Sequence, residues 1–174
     1  PSASASTFID ADTPVAMKNV FQDAFLVGTA MNREHIYGED RQGLALIKRH
    51  FNSITAENIS KWEHIHPEPN VYAFEPTDRF VAFGQQQGMF MVGHALVWHS
   101  QTPSWVFENE NGQPADRDTL LRRMREHIYS VVGRYKGRIQ AWDVVNEALD
   151  EDGSLRESPW YKIIGEDYIE KAFE

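Results

Sequence analysis

Apolar residues in this chain follow two rhythms that alternate. Short apolar runs at residues 25–30, 53–56, 89–98 and 139–145 read as strands. Between them, apolar residues recur at helical spacing. Leu44, Ile47 and Phe51 mark a helix over about 40–51, and a second spans roughly 76–87 with Gly88 as its left-handed stop. The third is the most regular. Leu120, Met124, Ile128, Val131 and Tyr135 step by 4, 4, 3 and 4 along one face, with Asp118 as the expected N-cap and Gly137 as the end. A fourth helix starts near Pro159-Trp160. Ahead of the first strand, residues 14–24 also look helical, with Val15, Val20 and Phe21 expected to dock on the core. Residues 1–12 are rich in Ser and Ala and read as an extension before a single folded domain at 13–174. The start at Pro1 reads as a processed end or a cloning boundary.

Four strand–helix alternations predict an α/β fold, a parallel sheet with helices outside. Polar residues gather just after each strand: Asn32, then Glu57-Asn58, then His99-Ser100-Gln101, then Asn146-Glu147. Barrels and open doubly wound sheets both bind ligands at these ends. The first strand leads into VGTAMN, which has no G-x-G-x-x-G and no phosphate-loop Lys, so a (β/α)8 TIM barrel is favoured. Four strands occupy the first 146 residues of 174, whereas a whole barrel takes about 250. The sequence therefore holds about the first four βα units.

Charge and composition narrow the function. A net charge of −9 argues against a nucleic-acid partner, and an uncharged or cationic ligand fits better. No apolar run approaches the roughly 18 residues of a membrane span. Cysteine is absent, which removes thiolate chemistry. Five Trp and six Tyr offer faces that fill cores and also stack on sugars or bases.

Glu147 closes an apolar strand. Partial desolvation there would favour the neutral carboxyl, the form a proton donor needs, with Asn146 beside it to hold a hydroxyl. The plainer reading is that Asn-Glu opens a loop into acidic Asp150-Glu151-Asp152. Glu57, Asn58 and Lys61 place an acceptor, an amide and a cation within five positions, either a clamp for a polyhydroxylated ligand or a solvated loop. Trp98 is placed to floor a sugar subsite, with Gln101 following, whereas Trp62 and Trp105 read as packing. His94 lies inside a strand, where a satisfied core histidine is the ordinary case. Its odd spacing from His99 puts the two on opposite faces, against a shared metal. His64 and His66 sit in a Pro-containing loop and make a poor metal pair. Neither H-E-x-x-H nor G-x-S-x-G occurs.

Four segments carry a resemblance: GTAMN at 28–32, AENISKW at 56–62, GHALVWHSQTPSW at 93–105 and WDVVNEA at 142–148. In this order and at these separations they resemble family 10 glycoside hydrolases, the endo-β-1,4-xylanases, over about residues 20–174. Ser60 and Ala95 depart from residues the family often carries there. The resemblance implies a (β/α)8 barrel that cleaves xylan with retention and without metal or cofactor. It implies that Glu147 is the general acid/base and that Asn146 holds the sugar 2-hydroxyl at the cleavage point. Lys61, His94 and Trp98 would line that subsite, and Glu57, Asn58 and Gln101 the next sugar toward the non-reducing end. Its nucleophile follows a later strand in a Thr-Glu-Leu-Asp-like motif that this sequence lacks, so Glu57 is not its counterpart. The expected partners are xylan, xylo-oligosaccharides and the C-terminal half of the same barrel, in a secreted protein. This chain alone is expected to be nearly inactive. A β-1,4-glucanase-type barrel and a non-catalytic xylan-binding half-barrel stand as alternatives.

Overall fold

Four parallel strands lie side by side in chain order: β1 (Gly28–Met31), β2 (Ser53–Ala56), β3 (Phe90–Val97) and β4 (Ala141–Val145). The computed structural model describes residues 15–174; the proposed extension at 1–12 lies outside them. Register is Gly28 to Ser53 and Ser53 to Phe90, then Val92 to Ala141, with an irregularity between His94 and Val97.

The two faces of the sheet differ. Met31, Ile54, Ala56 and Met91 point to one face and are at most 1% exposed. That face is covered by α3 (Arg41–His50), α5 (Glu75–Gln87) and α6 (Arg117–Tyr135), whose apolar stripes share one core with it. On the other face, Gly28, Ala30 and Asp143 are exposed and Ser53, Thr55 and Val92 only half-buried. Strand alternation thus sorts apolar residues under the helices and small or polar ones onto an open surface.

Helix ends follow local chemistry. Asp40 caps α3 by accepting the Gly43 N–H at 2.9 Å, and Gly88 ends α5 at φ 62°. The cap of α6 is Asp116, which accepts the Thr119 N–H at 2.8 Å, and not Asp118. Asp118 sits two residues further in, within the first turn, where its charge still favours the helix N-terminus. The helix expected over 14–24 shrinks to α1 (Met17–Val20), and Val15, Val20 and Phe21 are exposed instead of docked. Phe21 stacks on Phe25 at 4.8 Å, ahead of a first strand shorter than expected. Four further short helices escape hydrophobic periodicity: α2 (Arg33–Tyr37), α4 (Trp62–Ile65), and the pair α7 (Pro159–Ile164) and α8 (Tyr168–Phe173) that divides the expected fourth helix. Each is too brief to show a stripe.

An aromatic stack fills the core between α4 and α6. Trp62 lies parallel to His127 at 3.7 Å, and Tyr72 stacks on His66 at 4.0 Å. The two histidines meet Nδ1 to Nδ1 at 3.2 Å and are 4% and 0% exposed.

Gly93 has no side chain because a neighbour takes the space: a Cβ there would collide with the Trp142 indole across the β3–β4 pair. Ala normally suits a strand better than Gly. Here overpacking against a rigid ring outweighs that gain, and Gly93→Ala is expected to cost about 1–3 kcal/mol. The measurement is the urea midpoint at unchanged m-value; an unshifted midpoint would mean that Trp142 moves freely aside.

Candidate active site at the strand ends

The loop after β2 is folded back onto β3. Ser60, fully buried, donates its hydroxyl to the His94 carbonyl at 2.6 Å. This turn brings the Lys61 ammonium to Asn58 Oδ1 at 2.8 Å and over the Trp98 ring, 4.6 Å from its centre. Lys61 is only 8% exposed. Burial holds its pKa below the ordinary lysine value, while the charges of Glu57 and Glu147 pull it back upward. Carboxylates from two different strand ends therefore act on one ammonium.

β3 delivers His94 and, past its end, Trp98. His94 Nδ1 lies 2.8 Å from Asp143 Oδ2 on β4. A carboxylate only accepts, so Nδ1 carries a proton toward Asp143. Trp98 is fixed through its carbonyl, which accepts from Trp160 Nε1 at 2.9 Å and Thr102 Oγ1 at 2.7 Å. Its own indole N–H reaches Glu147 Oε2 at 3.0 Å. With Lys61 over one face, Trp98 has that face occupied and is less free to floor a sugar than the sequence suggested.

β4 ends on the Asn146 N–H, which donates to the Val97 carbonyl at 2.9 Å and continues the ladder. Glu147 follows with φ 51°, in the left-handed region that side chains rarely adopt. Its side chain is 51% exposed. Half of the side chain is therefore covered and half meets solvent.

Asn58, Lys61, Trp98 and Glu147 thus form one connected group, with Glu57 joined through charge and His94 alongside Trp98. Gln101 and Asn146 enter through their backbones: the Gln101 carbonyl accepts the Glu63 N–H at 2.9 Å. Among the described residues neither side-chain amide bonds another site residue. Sequence reasoning missed Asp143 and His99. Asp143 is found only through the β3–β4 register. His99 Nε2 stands 3.8 Å from Glu147 Oε2; strand alternation set it on the far face from His94, but β3 stops at Val97 and the rule does not reach it. Trp62, read as packing, is 2% exposed and packs in the core. Among the described residues no group of three or more His, Asp or Glu is arranged to hold a metal ion, and no helix is long and apolar enough to cross a membrane.

Residues 16–174 match the family model described as "Glycosyl hydrolase family 10". A curated β-1,4-xylanase of Dictyoglomus thermophilum is 49% identical over 160 residues, covering 91% of this chain and 43% of that protein. A solved family 10 endoxylanase from a sugarcane soil metagenome superposes with a TM-score of 0.87 at 50% identity, over 91% of this chain and 46% of its own. A mutant structure in complex with xylotriose has a TM-score of 0.86 at 38% identity, over 92% of this chain and 48% of its own. The chain spans about half the length of each of these three relatives.

Proposed function

Since the chain belongs to glycosyl hydrolase family 10, we propose that it carries the acid/base half of an endo-1,4-β-xylanase site. Its open four-stranded sheet is part of a (β/α)8 barrel, and the strand ends carry the chemistry. The observation that supports the reading best is the Trp98–Glu147–Lys61–Asn58 group, a carboxyl, an indole, an ammonium and an amide converging from three strand ends.

In this reading Glu147 gives its proton to the glycosidic oxygen as the bond to the anomeric carbon breaks. A carboxylate from the other half of the barrel attacks that carbon and forms a glycosyl-enzyme. Glu147, now ionised, takes a proton from water, which displaces the enzyme carboxylate and restores both groups. Asn146 holds the sugar 2-hydroxyl, and Lys61, His94 and Trp98 line the subsite of the broken bond. Glu57, Asn58 and Gln101 hold the next sugar toward the non-reducing end. No metal or cofactor takes part. Action outside the cell, on a polymer too large to enter it, belongs to the same proposal.

Retention requires two carboxyls about 5–5.5 Å apart, so the purified 174-residue chain is expected to leave xylan intact. Robust turnover by verified material would overturn the division between two halves. For the full-length protein, the test is hydrolysis of xylan against cellulose and mixed-linkage glucan, with calorimetry on xylo-oligosaccharides. Preference for xylan supports the reading. Faster glucan cleavage would move it to a glucanase, and binding without turnover would make it a sugar-binding protein.

A further inference from the structure

Two site residues, Gln101 and Glu147, are held in a left-handed conformation, Glu147 in the second position after β4, and something must keep it there. The loop that follows folds back as a short hairpin. Leu149 bridges Leu155, and the Arg156 N–H donates to the Ala148 carbonyl at 2.8 Å. Arg156 then turns its guanidinium inward. Nε donates to the Glu147 carbonyl at 3.0 Å, Nη2 to the Leu149 carbonyl at 3.1 Å, and Nη1 meets Asp150 Oδ1 at 2.8 Å. All three guanidinium nitrogens are used, and two of their three partners are main-chain carbonyls at the turn where the acid sits.

The base of this latch is rigid. The Ser158 N–H donates to the Arg156 carbonyl at 2.7 Å, and Ser158 caps α7. Two residues on, Trp160 is 1% exposed and bonds the Trp98 carbonyl. One continuous path therefore runs from the buried wall behind Trp98, through α7 and Arg156, to the Glu147 main chain. The Glu147 carboxyl is gripped from one side by the Trp98 indole and its backbone from the other by Arg156.

We infer that Arg156 is a positioning residue for the acid/base step: it fixes the Glu147–Ala148 peptide, and so the point from which the carboxyl reaches the glycosidic oxygen. The inference rests on the role proposed for Glu147. A lysine keeps the charge, but its compact ammonium cannot span three acceptors held in a planar fork. Proton transfer is sensitive to placement, and a displacement of about 1 Å costs up to about 100-fold in rate.

The test uses the full-length protein with Arg156→Met, Arg156→Lys and Glu147→Ala, assayed on xylan and on an aryl xylobioside with a good leaving group. Thermal melts record the folded fraction, and rates are expressed per folded molecule. Arg156→Met is expected to lower kcat on xylan by about 10- to 100-fold with KM within about twofold, to lower bond cleavage in the aryl substrate several-fold less, and to be partly rescued in Arg156→Lys. Equal losses on both substrates would reduce Arg156 to a structural residue. Wild-type rates in both Arg156 variants, beside a disabled Glu147→Ala, would overturn the Arg156 role alone. Wild-type rates in Glu147→Ala would overturn the acid assignment and the Arg156 role with it.

Discussion

In the full-length protein, Glu147→Ala is expected to slow hydrolysis of natural xylan by about 10²- to 10⁴-fold, the usual contribution of a general acid. The same variant should cleave aryl xylosides with good leaving groups much more nearly at the wild-type rate in the glycosylation step, because such a leaving group departs without a proton. The contrast separates acid catalysis from binding, which would fall on both substrates alike. Stability should barely change. The Glu147 side chain is half exposed, and the one hydrogen bond lost, from Trp98 Nε1, can be replaced by water. Equal loss of glycosylation on both substrates, or a large fall in melting temperature, would remove the acid role.

Acid is expected to weaken the fold well before carboxylates protonate. His66 and His127 share one hydrogen bond between their Nδ1 atoms, so one donates, the other accepts, and both are neutral. Burial holds His66 down to about 4 and puts His127 well below the ordinary histidine value. Unfolded histidines take up protons near pH 6.5. Between pH 6.5 and about 4 the unfolded chain therefore binds more protons than the folded one, and stability falls as pH falls. The contribution is fully present above pH 6.5, and for His66 a loss of about 3 kcal/mol is complete by about pH 4. Urea unfolding from pH 7.5 to 4.5 reads this slope. His127→Phe keeps a ring in the stack but strands His66 Nδ1. It should be less stable at pH 7.5 by about 1–3 kcal/mol and shallower in its pH dependence. Parallel curves for the two proteins would refute the buried pair as the cause.

Where the chain spoke through one-dimensional rhythm, the structure was legible. β2 and α5 fall where alternation and the Gly88 stop put them, because side-chain direction in each is set by local geometry. Asn58, Lys61, Trp98 and Glu147 were likewise legible as neighbours, since each follows a strand and parallel strands bring such ends together. What failed depends on pairings far apart in sequence. Asp143 meets His94 only through register, and His127 meets His66 across 61 residues, a separation no periodicity encodes. Val20 and Phe21 are apolar and yet exposed, because hydrophobicity states a need for cover without naming what covers it. Glu147 stays half exposed for the same reason: strand position predicts where a side chain points, not what stands opposite.

The strand order of the sheet has a consequence for synthesis on the ribosome. Each strand pairs with the one made just before it, β2 on β1, β3 on β2 and β4 on β3. Among β1–β4 no strand has to wait for a later one of the four, so this part of the sheet can grow in the direction of translation, a loop closure at a time. Lys61, His94 and Trp98 all precede β4 in the chain, while the groups that hold two of them, Asp143 at His94 and Trp160 at the Trp98 carbonyl, are made with or after it. The last strand of this segment to join would then be the one whose placement the chemistry depends on most, and α7 follows to lock it.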